Sequence, residues 1–151
     1  MRCPSCAQEN PQDASFCGRC GNTLVAADGG FEVKSQGDGF MVAFGSARRA
    51  LQCAIAIQRV FAEHNGVAEE PVHVRIGLHT GEAIKEADDF YGHHVNLAAR
   101  IADQARGGEI LVSSLLKELT DSAGEFAFGE GRDVALKGLT GSQRVYAVGW
   151  Q

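Results

Sequence analysis

Apolar positions recur at helical spacing along residues 46–63. Ala50, Cys53, Ala54, Ile57, Val60 and Phe61 share one side, while Arg48, Arg49, Gln52, Arg59 and Glu63 fall mostly on the other. Ser46 stands where an N-cap is needed, so the pattern predicts an amphipathic helix running to about Glu63. From 72 to 79 the period changes to two: Val72, Val74, Ile76 and Leu78 alternate with His73, Arg75, Gly77 and His79, as in a half-buried strand. Two strands are expected at 31–35 and 40–44, with Gly37-Asp38-Gly39 turning between them, and a further hairpin arm at 82–87. Residues 93–105 predict a second helix with Val95, Ala98, Ala99, Ile101 and Ala102 inward, stopped by Gly107-Gly108. A short strand at Glu109–Val112, a small helix opened by Ser113 or Ser114 and ending at Leu119, and late strands around 132–136 and 143–148 complete the series. Strands and helices alternating in this way predict an α+β sheet with helices on one face.

The chain has 151 residues, enough for one ordinary domain and a small appendage, and its 44% apolar and 22% charged composition is that of a globular protein. A net charge of −5 disfavours a general phosphate-backbone binder, so no nucleic-acid partner is expected. No apolar run approaches the roughly 18 residues of a membrane span. The opening MRCPSC lacks the apolar stretch of a secretory signal, and the expected location is cytoplasmic.

Four of the five cysteines change the picture at the N-terminus. Cys3-Pro-Ser-Cys6 and Cys17-Gly-Arg-Cys20 are two CxxC pairs, each able to bring two thiolates to one ion, and together they complete a tetrahedral Zn²⁺ site. Gly18 and Gly21 suit the tight turns that gather the sulfurs. Two disulfides would need an oxidising compartment, and a redox CxxC would need a strand before it and a helix after it. Zinc is the favoured reading, and its role is structural because four cysteines leave no open position. A ribbon over 1–24 is too short to bury a core and would take its folding energy from the metal, with 25–30 as a connector. Cys53 reads as a small buried hydrophobe.

Several remaining residues carry candidate chemistry, and each has a plain alternative. Asp38 sits in an Asp-Gly hairpin turn, which alone reads as a turn residue. Lys34 alone is a solvated strand residue, and Asp89 a loop carboxylate beside Asp88. Asn96 and Arg100 stand four apart and leave the same face of one helix. His93 and His94 are adjacent and point apart, with no third ligand near in sequence, so they read as structural or exposed. Lys137, in Leu-Lys-Gly-Leu, is weak evidence by itself.

Taken together, FEVKSQGDGFMVAF, VHVRIGLHTGE and DDFYGHHVNLAAR over residues 31–100 resemble the second half of a class III nucleotidyl cyclase catalytic domain. The resemblance covers 30–149 and implies a ferredoxin-like class III cyclase fold, here a partial domain at 31–151 lacking the family's first strand and helices. It implies an adenylate cyclase-type activity in cyclic-nucleotide signalling, ATP giving 3′,5′-cyclic AMP and pyrophosphate. Asp38 would hold Mg²⁺ or Mn²⁺ in a two-metal site; Lys34 and Asp89 would recognise adenine. Asn96 would orient the ribose, Arg100 would offset charge on the α-phosphate, and Lys137 would contact the terminal phosphates. Lysine as donor and aspartate as acceptor favour ATP over GTP.

The family also brings a first metal aspartate from its opening strand, within F-x-D-x-x-G-x-T. No such string occurs between the cysteines and Phe31, and the nearby Asp13 and Asp28 lie outside any such pattern. Family sites form between two subunits, one giving the metal carboxylates and the other the adenine and transition-state groups. This chain holds the whole second set. A homodimer or a heterodimer with another cyclase domain is therefore implied. The alternative to an enzyme is a catalytically inactive cyclase-homology and zinc-ribbon module acting by protein contact, or as the complementing half of a heterodimer.

Overall fold

The computed structural model describes residues 2, 6–10, 17–19, 30–36, 39–81, 84–86 and 89–151. The chain divides into two compact units, Met1–Val72 and His73–Gln151.

In the first unit β1 (Gly30–Gln36) and β2 (Gly39–Phe44) pair antiparallel, with an irregularity between Glu32 and Lys34. These are the two strands expected from the apolar runs. Helix α1 (Ala47–Asn65) follows, and the Oγ of Ser46 accepts the backbone N–H of Arg49 at 3.3 Å. Such a cap is worth about 1 kcal/mol. The buried residues of α1 are Leu51, Cys53, Ala54 and Gln58. Ala50 and Ile57, expected inward, are half-buried instead. Cys53 and Ala54 are buried as expected, and Leu51, which offers more apolar surface than Ala50, is buried beside them.

Beyond α1, the Asn65 amide grips Val72: its Nδ2 donates to the Val72 carbonyl and its Oδ1 accepts the Val72 N–H, both at 2.8 Å. Val72 thereby spends its backbone groups on a side chain instead of a ladder. This is one reason the strand expected over 72–79 shortens.

In chain order the second unit runs β3 (Ile76–Leu78), β4 (Ile84–Glu86), β5 (Asp89–Tyr91), α2 (His93–Gln104), β6 (Ile110–Ser113), α3 (Ser114–Asp121), β7 (Arg132–Ala135) and β8 (Ser142–Ala147). Its main sheet has the order β3-β6-β8-β7, parallel at β3–β6 and antiparallel elsewhere. The small β4–β5 hairpin is separate, and β5 is a strand where the sequence suggested a loop. Among the described strands β3 is bonded to β6 alone.

All four residues of β6 are buried. Successive strand residues face opposite ways, so β6 is covered on both faces. Leu97, Ile101, Ala105, Leu111, Leu136 and Val145 form one cluster, in which α2 lies on the sheet. Each fully buried Leu or Ile contributes about 1.5–3 kcal/mol. Leu97 and Ile101 are the buried residues of α2, whereas Ala99, expected inward, is exposed.

Helix α2 comes so close to β3 that a Cβ on Gly77 would stand 2.3 Å from the backbone nitrogen of Ala102. Only glycine fits there. At the other end of the helix, Arg132 grips Glu109 with Nη2–Oε1 at 2.8 Å and Nη1–Oε2 at 3.3 Å, and also donates to the Gln104 carbonyl at 3.3 Å. Burial alone would raise the Glu109 carboxyl, but hydrogen bonds from Arg132 and the Arg106 backbone hold it below its usual range.

Candidate functional site

The candidate residues of the second unit stand on consecutive elements. Asp89 is placed by its backbone in β5, opposite Glu86, and only Gly92 separates β5 from α2. Asn96 and Arg100 follow one and two turns into that helix. Both lie outside the buried stripe of Leu97 and Ile101: Asn96 is exposed, and the Arg100 side chain is 41% exposed. Arg100 makes a 3.5 Å contact from Nη1 to Oδ2 of Asp103. An exposed pair of this kind is worth at most about 1 kcal/mol, so a phosphate can displace it. A polar pair is thus held outward by an apolar pair one residue further along.

The start of α2 lacks the usual anchor. Its N-cap is Gly92, with no side-chain hydrogen bond. A tertiary chain of polar groups holds the first turn instead. His94 Nδ1 lies 2.8 Å from His79 Nε2, and His79 Nδ1 lies 2.6 Å from Ser113 Oγ. The Ser113 oxygen also accepts the Leu116 N–H at 3.3 Å and so caps α3. The parallel register pairs Leu78 with Val112, which sets the next residues, His79 and Ser113, side by side on the face that also carries Leu111. Gly81 makes room for the ring: a Cβ there would sit 2.3 Å from His94 Cγ. Desolvation, and then the neighbouring His94 and His93, push the His79 imidazole down to about 4. It is neutral at ordinary pH.

The pair read as structural or exposed therefore divides, with His93 exposed and His94 bonded. Sequence reasoning missed His79 and the role of Ser113, since only the register of two parallel strands, 34 residues apart at these positions, brings them together. No group of three metal-ligating side chains occurs among the described residues.

Lys137 is exposed in the turn closed by Leu139 N–H to Leu136 O at 3.1 Å, and no described hydrogen bond or ion pair joins it to Asn96 or Arg100. Lys34 is placed by its backbone in β1, opposite Met41. Asp38 lies outside the described residues, as do Cys3 and Cys20.

The two described cysteines of the N-terminal segment do meet. Cys6 and Cys17 bring their sulfurs to 3.5 Å. Two ligands of a tetrahedral ion with bonds of ~2.3 Å stand about 3.8 Å apart, so the geometry fits one Zn²⁺. Cys17 is buried, and its sulfur accepts the Arg19 N–H at 3.4 Å, a bond that favours a thiolate. Asn10 Oδ1 accepts the Gly18 N–H at 2.9 Å and braces the turn. The backbone bridge of Arg2 with Glu9 folds the chain around Cys6.

Residues 20–149 match the family model for the adenylate and guanylate cyclase catalytic domain. The chain belongs to this cyclase family. Residues 2–24 match the zinc-ribbon domain. An adenylate cyclase of Podospora anserina is 39% identical over 111 residues, covering 57% of this chain and 5% of the relative. A putative adenylate cyclase 3 of Rhizobium meliloti is 37% identical over 97 residues, covering 63% of this chain and 16% of the relative. The cyclase chain thus spans a small part of these relatives.

Among solved structures, an adenylate/guanylate cyclase/hydrolase from Silicibacter pomeroyi superposes with a TM-score of 0.74 at 31% identity, over 82% of this chain and 75% of that one. The guanylyl cyclase Cya2 gives 0.70 at 27%, over 82% and 72%. The mixed α+β architecture is that of the class III cyclases, preceded by a zinc ribbon. No helix of the described residues is long and apolar enough to cross a membrane.

Proposed function

We propose that this chain supplies the nucleotide-recognising and charge-stabilising half of an adenylate cyclase-type site, completed by a partner cyclase domain that brings both metal aspartates. The observation that carries the reading is the pair Asn96 and Arg100, set outward on α2 directly after the strand that bears Asp89. In this reading Lys34 donates to adenine N1 and Asp89 accepts from the N6 amino group. Asn96 orients the ribose so that its 3′-oxygen lines up with the α-phosphorus. The new 3′-O–P bond forms as the α–β bridge breaks, pyrophosphate leaves, and the 3′-hydroxyl proton passes to solvent. Arg100 offsets charge that grows on the α-phosphate, and Lys137 steadies the terminal phosphates. Divalent ions, Mg²⁺ or Mn²⁺, held by the partner's aspartates, would lower the 3′-hydroxyl pKa and neutralise the triphosphate; Asp38, the one metal carboxylate of this chain, would belong to the other site of the pair.

The ribbon at 1–24 carries a structural Zn²⁺ on Cys3, Cys6, Cys17 and Cys20, the connector spans 25–30 and the partial cyclase domain 31–151. Reduced thiols and ATP both point to the cytoplasm.

A second reading, a catalytically inactive module that works by protein contact, is favoured by one observation: the sequence has no F-x-D-x-x-G-x-T string ahead of Phe31. The two separate in an assay of the purified chain with ATP and Mn²⁺, alone and with an intact cyclase domain whose own Asn/Arg pair is removed. We expect no more cyclic AMP from the chain alone than from Asp38→Ala, and synthesis on mixing. No synthesis in any mixture, together with no ATP binding, leaves the inactive module.

A further inference from the structure

We propose that His79 is a positioning residue that, through its bond to His94, fixes the first turn of α2 and hence the placement of Asn96 and Arg100. This inference rests on the reading of those two residues given above. The geometry carries it. The helix has no side-chain cap at Gly92, and its first turn is held through His94, two residues before Asn96. His79 is itself fixed by Ser113, which sits at the junction of β6 and α3 and is 6% exposed. Gly81 and Gly77 leave room for the His94 ring and for Ala102, so the helix is seated at both ends against one segment of chain.

The seat is selective for protonation state. The 2.8 Å contact between the two imidazoles holds one hydrogen, given by either ring, but not two. Only with both rings protonated would two N–H groups stand face to face, with like charges at the positive end of a helix dipole. Among the described residues, the titratable groups that act on His79 are His94 and His93 of α2, while β6 and α3 present to it the uncharged Ser113 hydroxyl. The depressed pKa of His79 agrees with this arrangement.

Two readouts test the inference on the full chain. The first is amide hydrogen exchange of residues 96–99, the first N–H groups of α2 that bond back into its opening turn as Asn96 does to the Gly92 carbonyl at 3.2 Å, corrected for intrinsic rate, in the wild type, His79→Phe and His79→Gln. Phenylalanine fills the site without a hydrogen bond, whereas glutamine keeps a donor and an acceptor but cannot titrate. We expect exchange ~10-fold faster in His79→Phe, near wild type in His79→Gln, and accelerated by acid in the wild type but not in His79→Gln. The second is cyclic AMP synthesis in the mixture with a partner domain. His79→Phe should lower kcat ~10-fold with little change in KM, and glutamine should restore it.

Equal exchange at 96–99 in all three proteins would overturn the inference. If His79→Phe does not fold, the acid response of the wild type against His79→Gln decides alone, and equal responses sink the idea. A wild-type mixture without cyclic AMP defeats the functional reading, while the exchange experiment still judges the seat.

Discussion

Helix α2 presents two faces built for different ends. Leu97 and Ile101 are buried in the sheet cluster, while Asn96 and Arg100, each one residue earlier, face outward. The inward pair stabilises the helix by apolar burial, and nothing in that pair chooses a substrate. The outward pair gains almost nothing from the fold: Arg100 has one exposed ion pair and Asn96 no side-chain bond among the described interactions. The contrast separates a firm scaffold from the polar groups that the proposed function assigns to a nucleotide.

Substitutions on the two faces should separate cleanly. Ile101→Ala opens a cavity in a site of zero exposure and should cost about 2–5 kcal/mol, read as a lowered denaturation midpoint. Arg100→Ala should change stability by less than about 0.5 kcal/mol, yet lower cyclic AMP synthesis in the mixed assay about 10²–10³-fold. If Arg100→Ala instead unfolds the chain, the two faces are not independent. Gly77→Ala would press a methyl onto the Ala102 backbone and should cost about 1–3 kcal/mol by thermal unfolding.

A further effect is on the acid side. The folded pKa of His79 is depressed, so between pH 6.5 and about 4 the unfolded chain binds a proton that the folded chain refuses. Stability should therefore fall as pH falls through that window. Glu109, also depressed when folded, extends the loss below its usual carboxylate range. His79→Gln should flatten the upper limb and leave the lower one, as followed by urea midpoints against pH.

Much of this was legible in the sequence where the signal is local. Ser46 as a cap, the α2 segment, the late β7–β8 hairpin and the strings around Lys34, Asp38, Asp89, Asn96 and Arg100 all depend on neighbours a few residues apart. The inward faces of α1 and α2 were legible in part: Cys53, Ala54 and Ile101 are buried as expected, while Leu51 and Leu97, the larger apolar side chains, are buried where smaller residues were expected. The His94–His79–Ser113 chain was not legible at all. It depends on the register of β3 against β6 and on two glycines that let the helix settle, which are facts of packing.

The most direct test is a mixing assay. The wild-type chain, or its Arg100→Ala variant, is combined with a cyclase domain that keeps both metal aspartates but lacks its own Asn/Arg pair, with ATP and Mn²⁺ supplied. We predict cyclic AMP from the wild-type mixture and at least ~10²-fold less from the variant. Equal synthesis from both mixtures, or none from either, would contradict the assignment of this chain as the complementing half of a cyclase site.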